Sequence, residues 1–329
     1  MNRHNKILIT GGAGYVGANL VPKLLANDYD VTVYDLYIYG NHIFNDHPKL
    51  KQIKGDIRDI ERLNRAIKNI DIIIHLACIS NDPSYELNPA LGKSINYDAF
   101  LPILDVSKQN NIKRFIYASS SSVYGVKDED EVTEELVLEP MTDYSKYKAL
   151  CEEQLISESE NNFISTIIRP STVCGYSQRL RLDLTVNILT NHAINKGQIT
   201  VFGGNQKRPN IHIDDMTDLY IFLLEQPDHK INHKIYNVGY ENFTIAEIAS
   251  IVNKTLGGNI PIRYTTTNDN RSYHISSKKI KQELGFVSKY TIEDAVYQLK
   301  QKFDEGKIPE PLNDPVYYNV KMMQNINLQ

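Results

Sequence analysis

The chain has 329 residues with 36 Lys+Arg against 40 Asp+Glu, a formal charge of −4, enough length for one large domain or two smaller ones around a substantial core. With no excess of positive charge there is no global field to hold a nucleic acid or an anionic membrane surface. Apolar residues at 41% and charged residues at 23% are ordinary globular usage and exclude a disordered or fibrous chain.

The first half alternates short β-branched runs with amphipathic segments: Lys6–Thr10, Tyr15–Asp28, Asp30–Tyr34, Leu50–Lys54 and Ile70–Ala77. Strands alternating with helices predict βαβ units and a parallel sheet. Two further strands, Arg114–Ser119 and Thr166–Pro170, each follow a helical stretch, Asn96–Gln109 and Tyr144–Ser159. The pattern then loosens into a helix at Leu182–Ile194, a short strand at Thr200–Phe202, a strand–helix signal over Ile245–Leu256 and a proline-rich tail from Lys307 to Pro315. The predicted fold is α/β: a doubly wound parallel sheet of residues 1–173 with about 212–239 returning to it, and a smaller discontinuous lobe of about 174–211 plus 240–329. The longest apolar run, Ile70 to Ile79, is interrupted by Asp71 and His75 and falls short of the roughly 18 residues a membrane helix needs. No signal core follows Met1, so a cytoplasmic location is expected. Cys78, Cys151 and Cys174 are widely spaced, with neither a paired disulfide framework nor a metal-ligand spacing.

Thr10-Gly11-Gly12-Ala13-Gly14-Tyr15-Val16-Gly17 joins the first strand to the first helix. Gly11 permits a tight turn, Gly14 lets a pyrophosphate approach the backbone at Tyr15 and Val16, and Gly17 lets the helix pack closely on the strand. A glycine triplet alone is a weak signal; its place between a strand and an apolar helical stripe strengthens it. Asp35 ends the next strand, 24 residues after Gly11, where an acidic residue takes the ribose hydroxyls of NAD. No Arg or Lys follows it at once, which favours NAD over NADP. Asp56 and Ile57, after the third strand, either border the adenine or form a plain loop.

Tyr144 and Lys148 are four apart on one helical face. An ammonium beside a phenol favours the phenolate, a base near neutral pH. Such a pair is common by chance, but here Ser119-Ser120-Ser121-Ser122 ends a strand of the same sheet, at the carboxyl edge where open α/β sheets bind ligands. The glycine turn, Asp35, the serine run and Tyr144/Lys148 together resemble the extended short-chain dehydrogenase/reductase family, specifically its NAD-dependent nucleotide-sugar epimerases and dehydratases. Arg169-Pro170-Ser171-Thr172-Val173-Cys174-Gly175, Arg208 to Asp215 and Ile235 to Gly239 extend the likeness along nearly the whole chain.

By that resemblance Tyr144 is the base, Lys148 its partner and Ser120 the hydroxyl that bonds the sugar oxygen. Leu76, Ala77, Asn96 and Pro170 join the cofactor site. Ser80, Ser121, Thr172, Asn187, Arg208 and Arg271 are candidates for a nucleotide-diphosphate sugar, the arginines because guanidinium forks match phosphate oxygens. Either arginine is alternatively a surface ion-pair partner, and Cys174 and His212 read best as packed or structural groups. The implied reaction oxidises a sugar hydroxyl, most often at C4, to a 4-keto sugar. Dehydratases of this family carry an Asp-Glu pair after the catalytic hydroxyl; here Ser121 and Ser122 stand there, and neither is a strong acid or base. Enzymes that invert C3 and C5 tend to place a cysteine where Ser122 stands. Epimerisation is therefore the expected outcome. The alternative is net dehydrogenation or reduction, because Ser177 to Asn187, Arg208 to His212 and Asp269 to Tyr273 also resemble a branch with GDP-heptose 4-dehydrogenases. A rival of another kind, a protein that senses NAD and turns nothing over, commonly lacks the tyrosine or lysine present here. A homodimer built from the helices near Asn96–Gln109 and Tyr144–Ser159 is expected from the resemblance.

Overall fold

Strands whose both faces are covered by helices must be apolar along their whole length. Ile7-Leu8-Ile9 and Ile72-Ile73-Ile74 are almost fully buried in this way. The computed structural model describes residues 5–40, 43–160, 162–267, 271–326 and 328; Asp269 and Asn270, the first two residues of the motif Asp269 to Tyr273, lie outside them. The first strands are β1 (Lys6–Thr10), β2 (Asp30–Asp35), β3 (Leu50–Lys54), β4 (Ile72–His75), β5 (Arg114–Ala118) and β6 (Ile164–Pro170). They are followed by β7 (Thr172–Cys174), β8 (Ile199–Phe202), β9 (Lys207–His212), β10 (Lys234–Val238), β11 (Glu241–Thr244) and β12 (Ile262–Thr265). A seven-stranded sheet runs in the order β10-β6-β5-β4-β1-β2-β3, parallel at every pairing. Its edge strand β3, Leu-Lys-Gln-Ile-Lys, is half exposed and charged, which discourages further strand addition.

Alternation divides the sheet into two cores. Ile7, Ile9, Val31, Val33 and Ile72 face the helices Gly17–Ala26 and Ile213–Glu225 through Leu20, Val21, Leu219 and Leu223. Leu8, Ile73, Phe115 and Ile167 face the other side, against Leu63, Phe100, Ile103 and Leu104. The lobe has its own core of Val186, Leu189, Val201, Ile248, Val252 and Val296, with the short sheets β11-β9-β7 and β12-β8. Because β1 lies between β2 and β4, the connections diverge there and leave a crevice beyond the carboxyl ends.

Three elements depart from the sequence-based expectation. The helix over Asn96–Gln109 is broken: Ser94–Asp98 is a wide π-turn and the α-helix begins at Phe100. Pro102 has no N–H to donate back into the preceding turn, and Asn96 is pinned to Ile79 through both its amide groups, at 2.8 and 3.0 Å. The expected strand Ile70–Ala77 shortens to Ile72–His75 because Asp71 turns back to accept from the Asn5 and Lys6 amides, both at 3.1 Å. The helix Lys278–Leu284, expected in the lobe, packs Ile280 into the sheet core with Tyr220 and Tyr236.

His75 at the end of β4 carries a consequence for acid stability. Its ring is buried against Phe100 and Phe115, with Nδ1 2.8 Å from the Thr10 hydroxyl. Burial, and then the nearby Lys148 charge, push its pKa down to about 3. The unfolded chain keeps an ordinary histidine near 6.5, so between about pH 6.5 and 3 the unfolded state binds a proton that the folded state refuses. Stability present above that window is lost as pH falls through it. A His75→Leu variant is expected to show a shallower loss of unfolding free energy between pH 7 and 4, measured by urea titration; parallel curves would contradict a buried neutral ring.

Candidate active site

A cleft of about 620 Å³ opens at the crevice beyond β1 and β4, lined by the glycine turn, the ends of β2, β4 and β5, the serine run, Tyr144, Lys148 and residues of the lobe. The turn's geometry is dictated by its glycines. Gly11 has φ +69°, and a Cβ there would lie 2.6 Å from the Ala77 backbone; one on Gly17 would lie 2.2 Å from the Gly12 carbonyl oxygen. A Cβ on Gly14 would meet only the Gly11 oxygen, at 3.1 Å, so the cleft side of the turn is open to a close approach. The helix that follows, Gly17–Ala26, starts at Val16 with no side-chain cap, leaving its amide dipoles directed at the cleft. Asp35 closes the turn: its carboxylate accepts from the Ala13 amide at 2.9 Å and the Tyr37 amide at 2.7 Å. Burial raises its pKa despite those bonds.

Asp56 and Ile57 line the cleft beyond Asp35. Burial pushes Asp56 up, but the Arg58 guanidinium, 2.6 Å away, more than offsets it and holds the carboxyl below its usual range. Leu76, Ala77 and Pro170 line the cleft as well. Asn96 does not; it fixes the loop after β4 from behind, by the two bonds to Ile79.

The helix Asp143–Glu158 carries Tyr144 and Lys148 and is started by a capping box between Thr142 and Ser145. Ser120 caps the 3₁₀ turn Ser121–Tyr124, accepting from the Ser122 amide at 3.1 Å, with the two hydroxyls 2.8 Å apart. Tyr144, Lys148 and Ser120 thus reach one wall of the cleft from two elements. The sequence suggests that the Lys148 ammonium favours the Tyr144 phenolate. Lys148 Nζ donates to the Ala118 carbonyl at 2.6 Å and sits 6.0 Å from the Tyr144 ring centroid. Burial, then Cys78 and Asp82, push the phenol up, with Arg181 and a hydrogen bond to Ser120 opposing.

Ser80, Ser121, Thr172, Arg208 and Arg271 all line the cleft. Arg208 donates to the Arg271 carbonyl at 2.5 Å, and Arg271 pairs with Asp82 at 2.6 Å, so these residues, 63 apart in sequence, form one patch. Asn187, expected at the diphosphate, is fully buried behind the cleft. Its amide accepts from the Gly175 N–H at 2.9 Å and donates to the Tyr15 hydroxyl and the Arg181 carbonyl. Cys174 is packed under the lobe, its thiol raised by burial. His212 caps the helix Ile213–Glu225 by accepting from the Asp214 amide. Sequence reasoning gave no individual site role to Cys78, Arg179, Arg181, Asp183 and Asn319, all on the cleft wall. Among the described residues no His/Cys/Asp/Glu cluster is arranged to hold a metal and no helix is long and apolar enough to cross a membrane.

These features fit a dinucleotide: an uncapped helix start behind an open glycine, a carboxylate ending β2 and a lysine on the cleft wall. Residues 7–239 match the model of the NAD dependent epimerase/dehydratase family. A UDP-glucose 4-epimerase of Lactobacillus helveticus is 27% identical over 327 residues, covering 92% of this chain and 97% of that protein. Two solved structures share the fold: the UDP-glucose 4-epimerase of Thermotoga maritima with UDP-glucose (TM-score 0.83, 24% identity, 92% of this chain and 99% of that one) and the dTDP-glucose 4,6-dehydratase DesIV of Streptomyces venezuelae with NAD (TM-score 0.83, 24% identity, 93% and 99%). The chain therefore belongs to the NAD-dependent epimerase/dehydratase family, extended short-chain dehydrogenase/reductases acting on nucleotide sugars, and NAD is its cofactor.

Proposed function

We propose that the chain is a nucleotide-sugar 4-epimerase. The observation that carries this reading is the makeup of the catalytic wall. Ser120, Tyr144 and Lys148 are gathered there, while the two positions after Ser120 are serines, one buried and one bonded to Ser120. The carboxylates that line the cleft are engaged. Asp82 pairs with Arg271, Asp183 with Arg181 and Asp56 with Arg58, and Asp35 is bonded to two backbone amides. Among the described residues, every carboxylate on that wall is thus engaged, and none stands beside Ser120 as an acid–base pair to eliminate water. The Lactobacillus relative, a UDP-glucose 4-epimerase matched almost end to end, supports the same reading.

Gly11, Gly14, Tyr15, Val16, Gly17 and Asp35 would hold the adenosine diphosphate half of NAD, and Tyr144, Lys148 and Pro170 the nicotinamide half. Bound NAD supplies the acceptor, and later the donor, of the hydrogen at the reacting carbon. Ser120 orients the C4 hydroxyl of the sugar, and Tyr144 removes its proton as that carbon is oxidised to a ketone. Lys148, already bonded to the backbone at Ala118, favours by its charge the phenolate form in which Tyr144 can take that proton. Arg208 and Arg271 grip the diphosphate, so that the keto sugar can turn within the cleft and present its other face. Tyr144 then returns the proton to the new C4 hydroxyl.

The test is incubation with NAD and UDP-, GDP-, CDP- and dTDP-sugars, heptoses included, followed by chromatography with mass spectrometry. A product of unchanged mass and altered retention is expected. Loss of two hydrogens with accumulating NADH would make the chain a 4-dehydrogenase instead, and loss of water would overturn the role assigned to the serines.

A further inference from the structure

We propose that Arg179 and Arg181 form a cationic clasp that closes from the lobe over the pyrophosphate of the bound dinucleotide. The two arginines stand in the irregular segment between β7 and the helix Thr185–Lys196. They are 4% and 7% exposed, yet both line the cleft. The segment is tied to the phosphate turn on one side, where the Ser177 hydroxyl donates to the Tyr15 carbonyl at 2.7 Å and the Tyr15 hydroxyl donates to the Gly175 carbonyl at 2.6 Å. The C-terminal tail holds it on the other: Leu182 N–H donates to the Tyr317 carbonyl and Asn319 N–H to Asp183, both at 2.9 Å.

The donors do not balance. Arg179 Nη2 donates to Asn319 Oδ1 at 2.5 Å, and the guanidinium stacks 3.4 Å over the Tyr39 ring, but Nε and Nη1 have no acceptor among the described residues. Arg181 reaches Asp183 at 2.9 Å and Ser80 at 3.3 Å and leaves Nη2 unmatched. For hydrogen bonding the pair has the one carboxylate of Asp183, which Arg181 reaches, because both Asp35 oxygens already accept from backbone amides and Asp35 acts on Arg179 through its charge alone. Burial first, and repulsion from Arg181 among the rest, lower the Arg179 pKa to about 10. Buried guanidiniums are found with an anion and with their N–H groups matched, and their planar fork suits phosphate oxygens.

Two diphosphates enter this cleft, and the position of the pair selects the cofactor's. Arg179 lies over the Tyr39 ring, just past Asp35 at the ribose end; the Arg181 carbonyl is joined through Asn187 to the Tyr15 hydroxyl of the phosphate turn, and its guanidinium reaches Ser80 beyond β4. The pair therefore spans the stretch between the two ends of the dinucleotide. Arg208 and Arg271 are bonded to each other, and Arg271 is tied to Asp82 rather than to the phosphate turn. The inference does not depend on which sugar is processed.

The experiment is calorimetric titration of NAD-stripped protein, as parent, Arg179→Gln, Arg181→Gln and the double variant, with NAD, ADP-ribose, adenosine, UDP and GDP as probes. Losing charged hydrogen bonds to phosphate is expected to weaken NAD and ADP-ribose about ten- to hundredfold and to leave adenosine, UDP and GDP unchanged. The Lys/Lys double variant, which keeps charge without the fork, should recover part of the loss. Three results would each overturn the clasp: unchanged NAD affinity, an equal loss for adenosine, or a loss confined to UDP or GDP. A double variant that does not fold would shift the decision to the single and Lys/Lys variants, read against the same probes.

Discussion

Tyr144→Phe is expected to lower kcat by about 10²–10⁴-fold, the usual weight of a positioned proton-transfer group, while leaving the unfolding midpoint where it was. The variant keeps the aromatic ring and its place on the helix Asp143–Glu158 and removes one hydroxyl. Burial raises the pKa of that hydroxyl, and the ring that packs the site is kept. Lys148, whose ammonium is bonded to Ala118, should stay in place. NAD affinity should therefore change little, and the effect should fall on kcat rather than on binding. The check is single-turnover kinetics beside a titration with NAD. Retention of more than about a tenth of the parent rate would move proton transfer to another group, and Cys78 and Asp82, which both act on the Tyr144 phenol, would be next to test.

What the sequence disclosed follows from how local its signals are. The glycine turn was legible because a φ of +69° at Gly11 and a backbone approach at Gly17 can be met by glycine alone, and Tyr144 and Lys148 because a spacing of four has one meaning on a helix. Asn187 was misplaced because an amide that reads as a phosphate ligand serves equally to tie Gly175, Tyr15 and Arg181 together, and type alone does not distinguish these uses. Arg179 and Arg181 escaped notice for another reason. They lie in a segment without periodicity, and they reach the cleft because of Asn319 and Tyr317, some 135 to 140 residues later. The pairing of Lys148 with Ala118 is likewise a relation between a helix and a strand that no spacing encodes.

The largest effect on stability is expected at a pairing the sequence did not disclose. Glu152 lies one helical turn beyond Lys148, and Arg169 lies on β6; each is 3% exposed. Arg169 Nε bonds both Glu152 oxygens, at 3.0 and 3.1 Å, and Nη2 bonds Oε2 at 2.5 Å. The remaining groups are matched too. Ser119 donates to Glu152, Arg169 Nη1 donates to the Tyr124 hydroxyl at 2.7 Å, and that hydroxyl donates to Asn237 Oδ1 at 2.8 Å. Burial works against the Arg169 charge, yet Glu152 more than compensates and holds its pKa above the usual arginine value. Arg169→Met would leave Glu152 buried without its cation, and a loss of about 3–5 kcal/mol is expected in urea unfolding. The exposed Lys93–Asp98 pair, broken as a control, should leave the midpoint unmoved, because solvent screens it. Replacing Glu152 and Arg169 together by apolar residues should recover only part of the loss, since Ser119 and Tyr124 would then lack partners. Ser119 adjoins Ser120, and Glu152 shares a helix face with Lys148, so the Arg169→Met protein that still folds should also show a reduced kcat. A loss below about 1 kcal/mol would mean that water reaches Glu152 and that the network does not bind β6 to the helix beneath the catalytic wall.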